Sequence, residues 1–222
     1  ASQVLELVGN LRLKMPKLGG RKLYFLLQEE LKSLKVGRDR FFDILRANHL
    51  LIIPKRSYHV TTNSHHRFRK HKNQILDYEI TRPNQVWVAD ITYIGNRKNP
   101  GYLSLITDAY SKKIVGHYVA DNLNTESSLI ALKRALKNNK PEMESLIHHS
   151  DRGLQYCSNE YQRILTKKGV KCSMTQNSDP YENAVAERIN GILKQEFDID
   201  KYDVETSIKR KIVEESIEIY NE

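Results

Sequence analysis

After residue 85 the hydrophobic period changes repeatedly in one order, and few architectures accept that order. The runs "QVWVADITYI", "GYLSLITDAYS" and "KKIVGHYVAD" predict three strands, the last two as a hairpin. "TESSLIALKRALKN" predicts a helix with Thr125 as N-cap, and "MESLIHHS" a fourth strand. "NEYQRILTKKG" then reads as a helix, "VKCSMT" as a fifth strand and "PYENAVAERINGILKQEF" as a long helix. Asp179 suits the cap of that last helix, Pro180 its first position, and Glu182 completes a capping box. The expected core is a mixed five-stranded α/β sheet with helices on both faces.

Three carboxylates stand out against this frame. Asp90 lies within the first strand among Val86, Trp87, Val88, Ala89 and Ile91. An ionised group there is costly unless it is paired, hydrogen-bonded or bound to a metal ion; backbone amides at a strand edge would also satisfy it. Asp151 follows the fourth strand in "HHSDRGLQY". Ser-Asp-x-Gly is ordinary turn chemistry, but the carboxyl end of a strand is also where α/β folds place reactive groups. On the last helix Val185, Ile189, Ile192, Leu193 and Phe197 gather on one side, with Asn183, Glu187, Asn190, Gly191 and Lys194 opposite. Glu187 is the acid expected to look outward, and a solvated glutamate is the plain alternative. His148 and His149 alternate to opposite sheet faces, which favours packing or phosphate contact over metal ligation.

Charge divides the chain. Residues 1–83 hold 17 Lys and Arg against 7 Asp and Glu, whereas residues 84–222 hold 19 against 20. A basic arm that neutralises phosphates fits this asymmetry, and a solvated basic surface is the rival. Leu23, Leu26, Leu27 and Leu31, then Phe41, Ile44 and Leu45 after Val36-Gly37, predict two helices about a turn, a helix-turn-helix pattern. The second would offer Arg38, Arg40 and Arg46 to DNA. Residues 53–85 read as a basic linker, in which Arg56, Arg67, Arg69, Lys70 and Lys72, interleaved with Tyr58 and Phe68, can track a phosphate backbone. Its histidines lack cysteine partners at finger spacing, so zinc is not expected. Cys157 and Cys172 are expected as buried thiols, and no run of apolar residues suits a membrane span or a signal peptide. Expected domains are therefore 1–52 (small, helical, DNA-binding), 53–84 (linker) and 85–222 (mixed α/β core), in a soluble cytoplasmic protein.

The element order is that of the ribonuclease H-like fold, and the acids sharpen the likeness. Sixty residues separate Asp90 from Asp151 and 35 separate Asp151 from Glu187, with Lys194 seven positions later. This resembles the DD(35)E pattern of transposases and retroviral integrases. "RPNQVWVADITYI", "YLSLITDAYSKKIVGHYV", "HSDRGLQY" and "ENAVAERINGILKQE" are similar to the catalytic region of insertion sequence three family transposases of the OrfB type. "GGRKLYFLL" and "ILRANHLLI" resemble the helical domain before it. Glu182 stands where that family more often has aspartate, and both chain ends fall within helical patterns, as in a piece of a longer product.

The resemblance implies a DDE transposase that nicks and joins DNA at the ends of an insertion sequence, acting at a prokaryotic nucleoid. Asp90, Asp151 and Glu187 would hold two Mg²⁺ ions about 4 Å apart, with Mn²⁺ as substitute, and Lys194 would meet a DNA phosphate. Double-stranded DNA, as transposon end and target, is the implied partner, bridged by a homodimer or higher oligomer. A nuclease of the same fold and a catalytically idle DNA-binding protein are the alternatives.

Overall fold

The computed structural model describes residues 1–52, 71–96, 98–139, 141–142, 145–176 and 183–222, which divide into two compact units. Arg56, Arg67, Arg69 and Lys70, and the expected cap Asp179-Pro180-Glu182, lie outside the described residues.

The first unit comprises the N-terminal helices and residues 192–198. Its helices are α1 (Ser2–Lys14), α2 (Gly20–Leu26), α3 (Gln28–Ser33) and α4 (Arg38–Ala47). The expected first helix of the pair is broken: Leu27, at φ −98° and ψ 15°, ends α2 and starts α3. The first 17 residues, amphipathic in sequence, supply a further helix, because Val4 and Val8 fall on one face and bury. Val4, Val8, Leu18, Leu23, Leu27, Leu31, Phe41, Ile44 and Leu45 make a core of their own. The Arg12 guanidinium ties it down by donating to the carbonyls of Leu18 (3.2 Å) and Leu50 (2.7 Å).

The second unit is built on β1 (Val86–Gly95), β2 (Pro100–Asp108), β3 (Ile114–Ala120), β4 (Ile147–Ser150) and β5 (Lys171–Met174). These stand in the order β3-β2-β1-β4-β5, with β1, β2 and β3 antiparallel and β4 and β5 parallel to β1. The helices are α5 (Thr125–Asn139), α6 (Leu154–Cys157), α7 (Asn159–Lys167), α8 (Ala184–Glu196, whose last residues group with the first unit) and α9 (Thr206–Asn221). Thr125 is the first residue of α5 rather than the cap before it, a shift of one position. The fourth strand spans Ile147–Ser150, the last four residues of the run expected, of which Met143 and Glu144 lie outside the described residues.

β1 is buried on both faces, and its side chains alternate between two cores. Trp87 and Ala89 join Leu132, Tyr156 and Tyr161 on the side of α5, α6 and α7, whereas Val86 and Val88 join Ile147 and Ala186 on the side of α8. Two glycines make close approaches possible. At Gly116 a Cβ would stand 2.7 Å from the Ala135 Cβ, so β3 touches the α5 backbone only without a side chain. At Gly95, with φ +77°, the stem of the buried Lys209 of α9 passes 3.0 Å from where a Cβ would stand, on its way to the Asn99 carbonyl.

Both edges of the sheet are occupied. On β3 the Val115 carbonyl accepts from Asn139, that of His117 from Arg134 and that of Val119 from Arg210, while Asn221 bonds both backbone groups of Ile114. Arg134 and Arg210 also stack on the Tyr118 ring, at 5.4 and 4.8 Å. Along β5, Gln74 donates to the Ser173 hydroxyl and the Cys172 carbonyl, and Ile75 and Ile80 pack into the α8-side core.

Candidate active site

The register of the parallel pair positions the first two acids. β4 pairs with β1 as far as Ser150 opposite Ala89, so the next residue on each strand is an aspartate: Asp90 and Asp151. Neighbouring strands lie about 4.8 Å apart, which sets the carboxylates side by side where β4 ends. Asp151 turns back on the chain, its Oδ1 accepting from the Gly153 N–H at 2.9 Å. The turn expected of Ser-Asp-x-Gly thus forms around the same carboxylate.

Asp90 lies half-buried on β1, its Oδ2 accepting from the Asn190 amide at 2.7 Å. Burial first, then the charge of Asp151 and that of Glu187, push the Asp90 carboxyl up to about 7, against the opposing bonds from the Ile91 backbone and Asn190. Glu187, exposed in the first turn of α8, is itself raised by partial desolvation. Asp90 therefore senses both other acids. As the side chains lie, no group of three His, Cys, Asp or Glu among the described residues is close enough to share a metal ion.

This raised carboxyl has a stability consequence. Asp90 binds its proton more tightly in the folded chain than in the unfolded one, where its value is the ordinary 3.8. Its contribution to stability is therefore full below about pH 4 and is lost as pH climbs toward 7. In chelator, the melting temperature of the wild type should fall relative to Asp90→Asn across that window. Parallel melting profiles from pH 4 to 8 would contradict it.

The polar stripe of α8 does not face outward as a whole. Asn183 and Asn190 are only 7% and 6% exposed and point at β1, donating to the Ala89 carbonyl (3.4 Å) and to Asp90. Glu187 alone of its acids stays exposed. Sequence reasoning places Asn190 on the stripe without a role; its position three residues after Glu187, on the same face, is the available signal. Lys194 is half-buried, in the part of α8 that groups with the first unit.

Asp108 is a useful contrast. It is more deeply buried than any of the three acids, yet its oxygens accept from Asn84, Tyr110 and Ser111 and so complete the β2–β3 turn. The histidines likewise serve the core: His148 bonds the Tyr161 hydroxyl, His149 the Ser173 hydroxyl, and burial drives His148 down to about 3. Cys157 and Cys172 are not joined in a disulfide: the Cys157 thiol meets the Met174 sulfur at 3.7 Å, and the Cys172 thiol, raised to about 11 by burial, donates to Gln162 Oε1 at 3.1 Å. Of the side chains expected to meet DNA, Arg38, Arg40, Arg46 and Lys72 are exposed; Arg46 is shared with Asp43 at 2.6 Å.

Residues 80–180 and 168–222 match two models of the integrase core domain. The chain is 36% identical over 201 residues to a 31 kDa protein of insertion element IS600 from Shigella sonnei, covering 88% of this chain and 73% of that one. It is 34% identical over 146 residues to the putative transposase InsK of IS150 from Escherichia coli, covering 65% and 51% respectively. Among solved structures, the fold is similar to that in the simian T-cell lymphotropic virus intasome (TM-score 0.50, 18% identity, 90% of this chain and 67% of that one). The HTLV-2 integrase catalytic core domain in complex with magnesium also aligns, at TM-score 0.47 and 20% identity over 60% of this chain and 83% of that one. The sheet order is thus a ribonuclease H-like core, and the chain belongs to the insertion sequence three family of transposases, OrfB type, the DDE polynucleotidyl transferases of DNA transposition.

Proposed function

We propose that Asp90, Asp151 and Glu187 are the catalytic and metal-holding acids of this transposase, and that they cut and join double-stranded DNA at the ends of an insertion sequence. The observation that supports this most is the strand register that sets Asp151 beside Asp90, whose carboxyl is raised by burial, by Asp151 and by Glu187. All three donors are carboxylate oxygens and fit a hard divalent cation, Mg²⁺ with Mn²⁺ as substitute, two ions to a site. Bound there, the ions would supply positive charge against the charge that builds on the phosphate oxygens.

The chain's own part is orientation. Asn190 fixes one oxygen of Asp90, and the Gly153 N–H fixes one oxygen of Asp151. With water as nucleophile, its oxygen bonds phosphorus, the bond to the 3′ oxygen breaks, and that oxygen leaves as a 3′-hydroxyl. With that hydroxyl as nucleophile at target DNA, its oxygen bonds a target phosphorus and the bond from that phosphorus to the target's own 3′ oxygen breaks. The proton lost by the attacking hydroxyl is balanced by the one the departing 3′ oxygen gains, so the strands are joined.

Lys194, Arg38, Arg40, Arg46, Arg56, Arg67, Arg69, Lys70 and Lys72 are proposed to hold phosphates. Residues 1–52 would bind the end, 53–84 connect, and 85–222 catalyse, in a homodimer or higher oligomer assembled on DNA at the prokaryotic nucleoid. No helix among the described residues is long and apolar enough to cross a membrane.

Incubation with a library of double-stranded ends and Mg²⁺, followed by sequencing of products, tests the reading. Joined products sharing one end sequence are expected. Dispersed nicks without joints would instead mark a nuclease, and bound but intact DNA a protein that only binds.

A further inference from the structure

Tyr156 carries a hydroxyl that the fold leaves without a use. The residue is 2% exposed, and its ring meets Tyr161 edge-on at 5.4 Å and His148 at 6.2 Å. Those contacts account for the ring alone, since the hydroxyl oxygen has no hydrogen-bond partner among the described residues. Tyr161, in the same cluster, shows the usual arrangement, its hydroxyl bonded to His148 Nε2 at 2.9 Å. A buried phenol without a partner is unfavourable, and such groups are rare enough to call for a reason.

The pocket at the end of β4 supplies one. Tyr156 lines it together with Asp90, Asp151, Gly153 and Gln155. Burial, then Tyr161, Asp90 and Asp151, raise the phenol well above its ordinary value, so it remains a donor. The other amides at hand are already engaged: Gln155 donates to the Leu123 carbonyl at 2.8 Å, and Asn190 to Asp90. Carboxylates only accept hydrogen bonds when ionised, and so do the oxygens of a phosphodiester. Of the polar side chains lining the pocket, Tyr156 is the buried donor that makes no hydrogen bond among the described residues, whereas Gln155 already makes one.

We propose that Tyr156 is a substrate-contacting residue, its hydroxyl donating a hydrogen bond to an oxygen of the phosphodiester that enters the pocket beside Asp90 and Asp151. The proposal rests on reading those two acids as the catalytic centre. The donor would act where negative charge grows during phosphoryl transfer.

Tyr156→Phe deletes the hydroxyl and keeps the ring with its neighbours. On the full chain, the variant should melt at the wild-type temperature or a few degrees above it without metal, because a buried group with no partner has been removed. Mn²⁺ affinity should stay within about twofold, while Mn²⁺-dependent nicking of supercoiled plasmid DNA slows on the order of 100-fold. A melting temperature lowered by more than about 5 °C would make the hydroxyl a structural bond, and a tenfold loss of Mn²⁺ affinity would assign it to the ion. Unchanged nicking would remove it from the reaction. Any of the three overturns the proposal. Asp90→Asn run in parallel separates the two readings: if it still nicks, the catalytic centre is misassigned and both fall, whereas an inert Asp90→Asn beside a fully active Tyr156→Phe removes the tyrosine alone.

Discussion

Asp90→Asn, Asp151→Asn and Glu187→Gln should each abolish nicking and joining, by a factor on the order of 10³ or more, while DNA binding is largely kept. Each change removes one negative charge and almost no volume. Asp90 lies half-buried within β1, Asp151 follows the last paired residue of β4, and Glu187 is exposed, so a change of this size leaves the strand pairing intact. Asp90→Asn even relieves a crowded site, since Asp151 and Glu187 both disfavour its charge. A variant that melts as high as the wild type yet turns over nothing would tie the acids to chemistry. Substantial strand transfer by any one of the three, with Mg²⁺ or Mn²⁺ present, would break the assignment. Asp108→Asn is the matched comparison: its carboxylate completes a turn, so it should lower the melting temperature and leave the rate per folded molecule unchanged.

Neutralising the basic segment should have the second largest effect, on binding rather than rate. Residues 1–70 hold 15 Lys and Arg against 5 Asp and Glu, and the remainder of the chain is near neutral. Binding that releases counterions from six to ten phosphates weakens about 10³- to 10⁵-fold between 50 and 200 mM salt. Replacing Arg38, Arg40, Arg67, Arg69 and Lys70 by Gln together should flatten the plot of log affinity against log salt by close to one unit for each phosphate no longer neutralised. The chemical step on DNA already bound should change little. A salt slope equal to that of the wild type would show that these residues do not neutralise phosphates.

How much of this was legible in the sequence follows from what each signal depends on. Strand and helix order needs only local periodicity, and Val86, Trp87, Val88 and Ala89 announce a strand buried on both faces without knowledge of its neighbours. Spacing between acids survives for the same reason, although spacing alone says nothing of contact. What paired Asp151 with Asp90 was the register of β1 on β4, a long-range property. Asn190 and Tyr156 were not legible as site residues. An asparagine on a helix stripe and a tyrosine after a turn have ordinary uses, and only burial together with partners sets these two apart. The break at Leu27 was equally hidden, because the leucine spacing runs straight through it.

The occupied sheet edges bear on how copies of the chain can meet. An open edge is a template that any extended segment can join, in any number and with little selectivity. Here the three alternate carbonyls of β3 are already bonded to side chains of α5 and α9, and Gln74 runs along β5. Strand addition, which would lead to fibres as readily as to pairs, has no foothold at those groups. If copies of the chain assemble, they would have to meet through other surfaces, where contact can be selective and reversible as an open edge is not.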